Sequence, residues 1–266
     1  MTRYSSPWAI VSEIVAASCL AASPARAASP PPLTVVLDRV EQRVDAFWNY
    51  FPAVTCTEQL IQSKLGDKGK VMFEQRTNYD YLILLRSAGN DLTVDESRIE
   101  KEQKSTKGKG ALLLTNGFSI LTLIFHPIYQ SNYEFTAQPD DETGGRRLLR
   151  VAFRQVSTHH APSVLMLRDR EYPLEWRGTA WIDPESYAVV RIQAGLDSSM
   201  EDVGLLRLDA DVTYSQVRFN GTTAYWLPAR AVIEAETKRQ HWRNIHVFTA
   251  YRRFDVDTEV KTTIPR

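Results

Sequence analysis

Leu206-Arg207-Leu208-Asp209-Ala210-Asp211-Val212-Thr213-Tyr214 alternates one residue at a time between apolar and polar. Successive side chains of an extended strand point to opposite faces. Leu206, Leu208, Ala210, Val212 and Tyr214 therefore line one face, opposite Arg207, Asp209, Asp211 and Thr213. A strand written this way keeps one face in an apolar interior and the other in water, as in an antiparallel sheet covered on one side.

The same pattern extends outward in both directions. Upstream, Leu174 to Ile182 places Leu174, Trp176, Gly178, Ala180 and Ile182 on one face. Asp183-Pro184-Glu185-Ser186 then has the chemistry of a turn, and the even positions resume as Ala188, Val190, Ile192 and Ala194. Downstream, Asn220-Gly221 makes a hairpin turn; Asn220-Gly221-Thr222 also matches a glycosylation acceptor, and the turn is the preferred reading. Tyr225, Leu227, Ala229, Ala231 and Ile233 follow on one face, opposite Arg230, Glu234 and Glu236. Trp242 to Phe254 is a last, more mixed strand.

Further upstream, Leu33, Val36, Leu37, Val40, Val44, Phe47, Trp48 and Phe51 recur at spacings of three and four, which predicts a helix with one apolar face, stopped at Pro52. Val40, Val44, Phe47 and Trp48 are expected to be buried against the sheet and to serve folding rather than ligand choice. Val54 to Leu65 and Val71 to Leu85 flank Gly66–Lys70 as a hairpin. Ser97 to Gly110 is highly charged and reads as an exposed loop. Phe118 to Phe125 is almost wholly apolar and reads as a short buried helix stopped by Pro127. Tyr133 to Ala137 and Leu148 to Val156 are strands joined by a loop, Pro139–Gly145.

The order helix, strands, short apolar helix, many strands defines the expected fold: α+β, β-rich. A strongly curved antiparallel sheet forms an open half-barrel, and the N-terminal helix and the short apolar helix lie on its concave face.

The first residues read as a secretory leader. Arg3 gives a positive start, Trp8 to Ala22 is mainly apolar, and Ala25-Arg26-Ala27 is a small-x-small cleavage pattern. The apolar stretch is too short for a membrane helix of about 20 residues. The expected organisation is a signal peptide over 1–27, a Pro-rich spacer over 28–32 and a single β-rich domain over 33–266, with export to the periplasm. Val15-Ala16-Ala17-Ser18-Cys19 faintly matches a lipoprotein-processing box, so a lipid anchor on Cys19 is the alternative. Cleavage after Ala27 leaves Cys56 alone, with no intramolecular disulfide; its apolar neighbours suit a buried thiol.

The formal net charge is zero, and losing a leader with Arg3, Arg26 and Glu13 takes it to about −1. Arg146–Arg147 and Arg252–Arg253 are isolated pairs, not the basic stripe that phosphate-backbone binding needs. No nucleic-acid partner is expected.

Arg177-Gly178-Thr179-Ala180-Trp181-Ile182-Asp183-Pro184-Glu185-Ser186, followed by Val190-Arg191-Ile192, resembles a strand-turn-strand element of the periplasmic lipoprotein carriers and their relatives: the LolA-like and LolB-like carriers and the RseB-like sigma-factor regulators. Tyr225-Trp226-Leu227-Pro228, beginning a following strand, is similar to the same family, and Phe51-Pro52 with Cys56-Thr57-Glu58 resembles uncharacterised exported bacterial proteins of this general shape. The resemblance implies an open half-barrel lined with apolar side chains and closed by helices, binding acyl chains. Its specific part spans about fifty residues, and the matching positions are scaffold.

Chemistry has few footholds in the sequence. His159-His160 is the only adjacent pair among five histidines, and no Cys-x-x-Cys, His-Glu-x-x-His or His-x-His spacing occurs, so no metal and no cofactor are expected. His241 and His246, five apart, point to opposite faces of a strand. No Gly-x-Ser-x-Gly nucleophile elbow is present. Asp140-Asp141-Glu142 sits among turn residues, where paired carboxylates stay solvated.

The leading expectation is a non-enzymatic envelope protein holding an apolar ligand, a lipid or lipoprotein acyl chain. Phe118, Leu121, Phe125, Leu174, Trp176, Ile182, Val190 and Ile192 are its candidate cavity residues. A second reading is an interaction or sensor module whose partner is another envelope protein met through Ser97–Gly110. A third is a hydrolase using His159, His160 and a carboxylate.

Overall fold

The computed structural model describes residues 31–50, 53–88, 91–101, 120–143, 145–156, 163–167, 170–219 and 223–253. The chain divides into two units, Met1–Pro31 and Pro32–Arg266, and the fold belongs to the second. The leader, Phe51-Pro52, Phe118 and His159-His160 lie outside the described residues.

Helix α1 runs Leu33–Tyr50, its first turn opened by a hydrogen bond from the Val36 N–H to the Pro32 carbonyl at 3.1 Å. Strands β1 (Ala53–Leu65) and β2 (Val71–Ala88) form the expected hairpin. In its turn Lys68 and Gly69 take φ of 56° and 75°, the left-handed region that glycine enters most easily.

Strand β3 (Asp91–Glu100) follows, paired antiparallel to β2. This corrects the reading of Ser97–Gly110 as a loop from its first residue: Ser97–Glu100 are strand. Arg98 lies directly across from Tyr81 and is ion-paired to Glu58 on β1. A charge held by a partner forty residues away imitates loop composition.

Ile120–Phe125 is a 3-10 turn, and α2 (Pro127–Gln130) continues from it. The short apolar helical element is present, but Pro127 starts the next helix rather than ending the chain's helical run. Proline suits a first helical position because it has no N–H to leave unsatisfied, and the His126 side chain accepts a hydrogen bond from the Ile128 N–H.

Strands β4 (Tyr133–Thr143) and β5 (Arg146–Gln155) are longer than expected. Pro139–Thr143 is strand, not loop, because a bulge between Gln138 and Asp141 absorbs the irregular residues. A two-stranded ribbon follows, β6 (Val164–Leu167) with β7 (Arg170–Pro173). The rest is a meander: β8 (Trp176–Ile182), β9 (Val189–Leu196), β10 (Leu205–Arg218), β11 (Ala224–Thr237) and β12 (His241–Arg253).

Ten strands make one open antiparallel sheet in the order β3-β2-β1-β12-β11-β10-β9-β8-β5-β4. The curved, unclosed sheet with helices against one face is the α+β half-barrel that the alternation implied. Val36, Val40, Val44 and Trp48 of α1 are buried in one cluster with Leu121, Ile124 and Phe125 of the 3-10 turn and with the inward rows of the sheet, among them Val151, Ile182, Ile192 and Val212. Each large apolar side chain so buried contributes roughly 1.5–3 kcal/mol.

The outer face carries ion pairs instead: Arg154–Asp197, Arg191–Asp211, and both Arg207 and Arg243 with Glu234. Trp181 packs there between the guanidinium groups of Arg150 and Arg191, 5.6 and 4.8 Å from its ring centre.

Candidate ligand cavity

Three bulges shape one end of the molecule. Opposite Thr213 and Tyr214, β11 carries an extra residue, Ala229. Beyond it the face changes: Trp226 and Pro228 turn toward the helix, and Leu227 is buried in a second small cluster with Val54. In β12, Ala250 takes φ of 52° where the register against β1 shifts, which sets Arg253 across from Val54. In β9 the register slips at Val190, so Ile182 pairs with Val189.

Between these strand ends and the C-terminal half of α1 lies a half-open cavity of about 480 Å³. Helix α1 gives it Arg43, Val44, Ala46 and Phe47; the approach to β9 gives Ala188 and Val189; β10 gives Tyr214. Thr223, Ala224, Tyr225, Trp226 and Pro228 form the opposite wall, with Thr122 and Arg253 completing it. Phe47 meets Tyr225 edge to face at 6.3 Å between ring centres. The walls are mostly carbon, and the volume falls in the range of roughly 300–1,000 Å³ usual for small-molecule sites. Phe47 is half-buried where Val40, Val44 and Trp48 are buried; with Val44 it lines this cavity, which corrects the expectation that it is buried like the other three.

The residues singled out in the sequence sit elsewhere. Leu121, Phe125, Leu174, Trp176, Ile182 and Ile192 are brought together, buried in the central cluster. Val190 is half-buried and outside that cluster, because the bulge hands its inward place to Val189. Phe118 lies outside the described residues. None of the seven described ones is among the residues that line the cavity. The wall residues carried one legible signal, the Tyr225-Trp226 aromatic pair just after a turn. The rest depend on bulges, which leave no mark in composition.

A second feature was not legible at all. On the inner face of β1, β2, β3 and β12 the register sets Glu58, Tyr81, Arg98 and His246 together. Arg98 holds Glu58 through Nε and, at 2.9 Å, through Nη2. His246 Nδ1 lies 2.6 Å from Glu58 Oε1. Gln62 donates to Asn244 alongside them. Burial opposes ionisation of Glu58, yet the hydrogen bonds from His246 and Arg98 outweigh it and hold the carboxyl below its ordinary range. Burial lowers the His246 pKa more than the Glu58 carboxylate raises it, so the ring is neutral and its Nδ1–H donates. Nearby, burial pushes the Cys56 thiol up to about 12 against the effect of a hydrogen bond with Tyr251. It is a protonated, packed thiol and a poor nucleophile. Among the described residues no group of three His, Cys, Asp or Glu side chains could hold a metal ion, and no helix is long and apolar enough to cross a membrane.

No family model and no curated protein matches the chain. Solved structures do. The chain is similar in fold to proteins of the LolA superfamily. One is a LolA superfamily protein from Nitrosomonas europaea, 11% identical, covering 85% of this chain and 97% of that one, with a TM-score of 0.40. A putative outer membrane lipoprotein-sorting protein domain from Vibrio parahaemolyticus is 9% identical over 84% of this chain and 93% of its own, TM-score 0.42. A DUF1329 family protein from Desulfovibrio piger is 12% identical over 86% and 96%, TM-score 0.45.

Proposed function

We propose that this is an exported, periplasmic protein that binds an acyl chain in the cavity between α1 and the ends of β10 and β11, and does no chemistry on it. One observation carries the reading: a half-open cavity whose walls are aromatic and aliphatic, bounded by an amphipathic helix on one side and a one-sided sheet on the other. Such a space favours apolar surface leaving water at about 25 cal/mol per Å². The absence of chemistry fits a Cys56 held protonated by burial and a buried histidine–carboxylate pair that already has an arginine as its third member. A chain longer than the cavity would have to part the 3-10 turn from β9 to reach Leu121, Phe125 and Ile192.

The test is native mass spectrometry of the protein purified from its own host, alongside titration with an apolar fluorescent probe. A co-purifying lipid and probe enhancement are expected. Neither adduct nor enhancement would overturn the reading.

A further inference from the structure

The sheet forks beside the cavity. The register of β11 with β12 runs from Glu236 opposite His241 to Arg230 opposite Val247 and ends there. Beyond that pair each strand keeps its other neighbour. Strand β11 stays with β10 as far as Ala224 opposite Arg218, and β12 stays with β1 as far as Arg253 opposite Val54. The β11 branch is the far wall of the cavity, through Ala224, Tyr225, Trp226 and Pro228. The width of the cavity therefore depends on where this branch stands between β12 and α1.

Tyr251 bridges the fork. Thr249 faces Thr57 and Arg252 faces Thr55, so Ala250 and Tyr251 together stand opposite Cys56. This extra residue, with Ala250 at φ of 52°, turns Tyr251 out of the β12 row and onto the small cluster of Val54 and Leu227. The Tyr251 hydroxyl donates to the Pro228 carbonyl at 2.7 Å. On the β1 side the Cys56 thiol is hydrogen-bonded to the same hydroxyl. A protonated thiol donates, which leaves the one hydrogen of the hydroxyl to Pro228. Ladder hydrogen bonds hold paired strands at a fixed spacing; where the ladder of β11 and β12 has ended, a side chain takes over.

We infer that Tyr251 is the positioning residue of this cavity: its bond to Pro228 fixes the β11 branch, and with it the aromatic wall of Tyr225 and Trp226, at the distance from α1 that clasps a chain. The inference rests on the reading that the cavity takes an acyl chain. Tyr251 is not among the residues that line the cavity, so it acts through the wall. The loss of one such hydrogen bond corresponds to about three- to tenfold in affinity.

The experiment titrates the full protein, stripped of lipid, with ω-bromododecanol. Bromine quenches tryptophan fluorescence at contact, so the part of the quenching that disappears in Trp226→Phe reports how closely the chain meets the wall. Tyr251→Phe is expected to weaken binding by about three- to tenfold and to remove most of the Trp226 quenching at saturation. Cys56→Ala loosens the packing of the same fork but keeps the bond to Pro228, and it is expected to retain that quenching. Tyr251→p-aminophenylalanine, whose N–H donates from the same place, is expected to restore it. If Tyr251→Phe does not fold, Tyr251→p-chlorophenylalanine fills the space of the hydroxyl without donating and carries the same expectation. Full Trp226 quenching in the variant without a donor, an equal loss in Cys56→Ala, or binding to the unaltered protein with no Trp226 quenching overturns the positioning role and leaves the acyl-chain reading standing. If ω-bromododecanol neither quenches the unaltered protein nor displaces an apolar fluorescent probe from it, the acyl-chain reading fails and this inference falls with it.

Discussion

His246 on β12 donates its Nδ1–H to Glu58 on β1 across 2.6 Å, and neither side chain has any exposed surface. Both pKa values lie below their ordinary ranges, so the unfolded chain binds more protons than the folded one on the acid side. Stability then rises with pH wherever that difference exists. The His246 contribution is present above about pH 6.5 and the Glu58 contribution above about pH 4.3; each is lost as pH falls through the lower folded value. Thermal unfolding followed from pH 8 to pH 4 should show a melting temperature that declines from about pH 6.5 downward. A melting temperature flat across pH 7 to 5 would contradict the neutral, buried assignment of His246.

Removing the charge from Glu58 takes from Arg98 the carboxylate that its Nε and Nη2 hold. Glu58→Gln is expected to cost about 3–5 kcal/mol, read as a fall in the urea midpoint. Double replacement of Glu58 and Arg98 by Gln and Met should recover part of the loss, because the guanidinium that lost this partner is gone too.

Trp48 and Phe47 are neighbours on α1 with different surroundings, the first 3% exposed in the core and the second a wall of the cavity. Trp48→Ala should cost about 3–5 kcal/mol and lower the melting temperature. Phe47→Ala should cost less and reduce apolar-probe binding more. Equal destabilisation by the two changes would mean that Phe47 is packed as core.

At Gly178 a Cβ would stand 2.0 Å from the Gln193 carbonyl oxygen and 2.7 Å from Cζ of Phe153. Backbone cannot step aside inside a paired ladder, so Gly178→Ala is expected to cost about 3 kcal/mol or more. At Gly195 the same atom meets Asp209 Oδ1 at 2.6 Å, the end of a side chain that can rotate away, and Gly195→Ala should cost about 1 kcal/mol. Denaturant unfolding of both variants compares the two strands' tolerance directly.

Asp183 closes the turn between β8 and β9. Its Oδ2 accepts from the Ser186 N–H at 3.1 Å and the Ser186 hydroxyl at 2.5 Å, and Arg146 lies 2.7 Å from Oδ1. Burial opposes the charge, but the Ser186 hydrogen bonds and Arg146 hold its pKa down. Asp183→Ala should cost about 1.5–3 kcal/mol, and Asp183→Asn should retain part of it. The hydrogen-exchange rates of Ser186 and Ala188 amides would show whether the turn has loosened.

Alternation made the sheet legible because its physical cause is local. Ala210, Val212 and Tyr214 are buried on the face where the pattern sets them. Helix α1 was legible through the spacing of Val36, Val40 and Val44. A bulge costs one residue and inverts the faces beyond it, so alternation alone sets Val190 and Leu227 on the wrong row and hides Trp226 as cavity wall. Arg98 escaped for another reason. Its burial depends on Glu58, forty positions earlier, and no window of sequence contains both. Pro127 has the look of a stop in sequence and acts as a start, since proline punctuates helices at either boundary.

The order of strands in the sheet has a consequence for how the protein is made. Strand β1 is an early strand in the chain, yet one of its two neighbours is β12. In a nascent chain still short of His241, β1 to β3 can form one patch and β4, β5 and β8 to β11 another, and the facing edges of β1 and β11 then have bare amides and carbonyls ready to pair with any passing strand. Only the last strand stitches the two patches, through contacts such as Ile61 with Ile245, and long-range pairing of that kind is slow to form. A chain that stalls or is cut before β12 should be sticky rather than merely unfinished, and its survival would depend on being kept from its own kind until the final strand arrives.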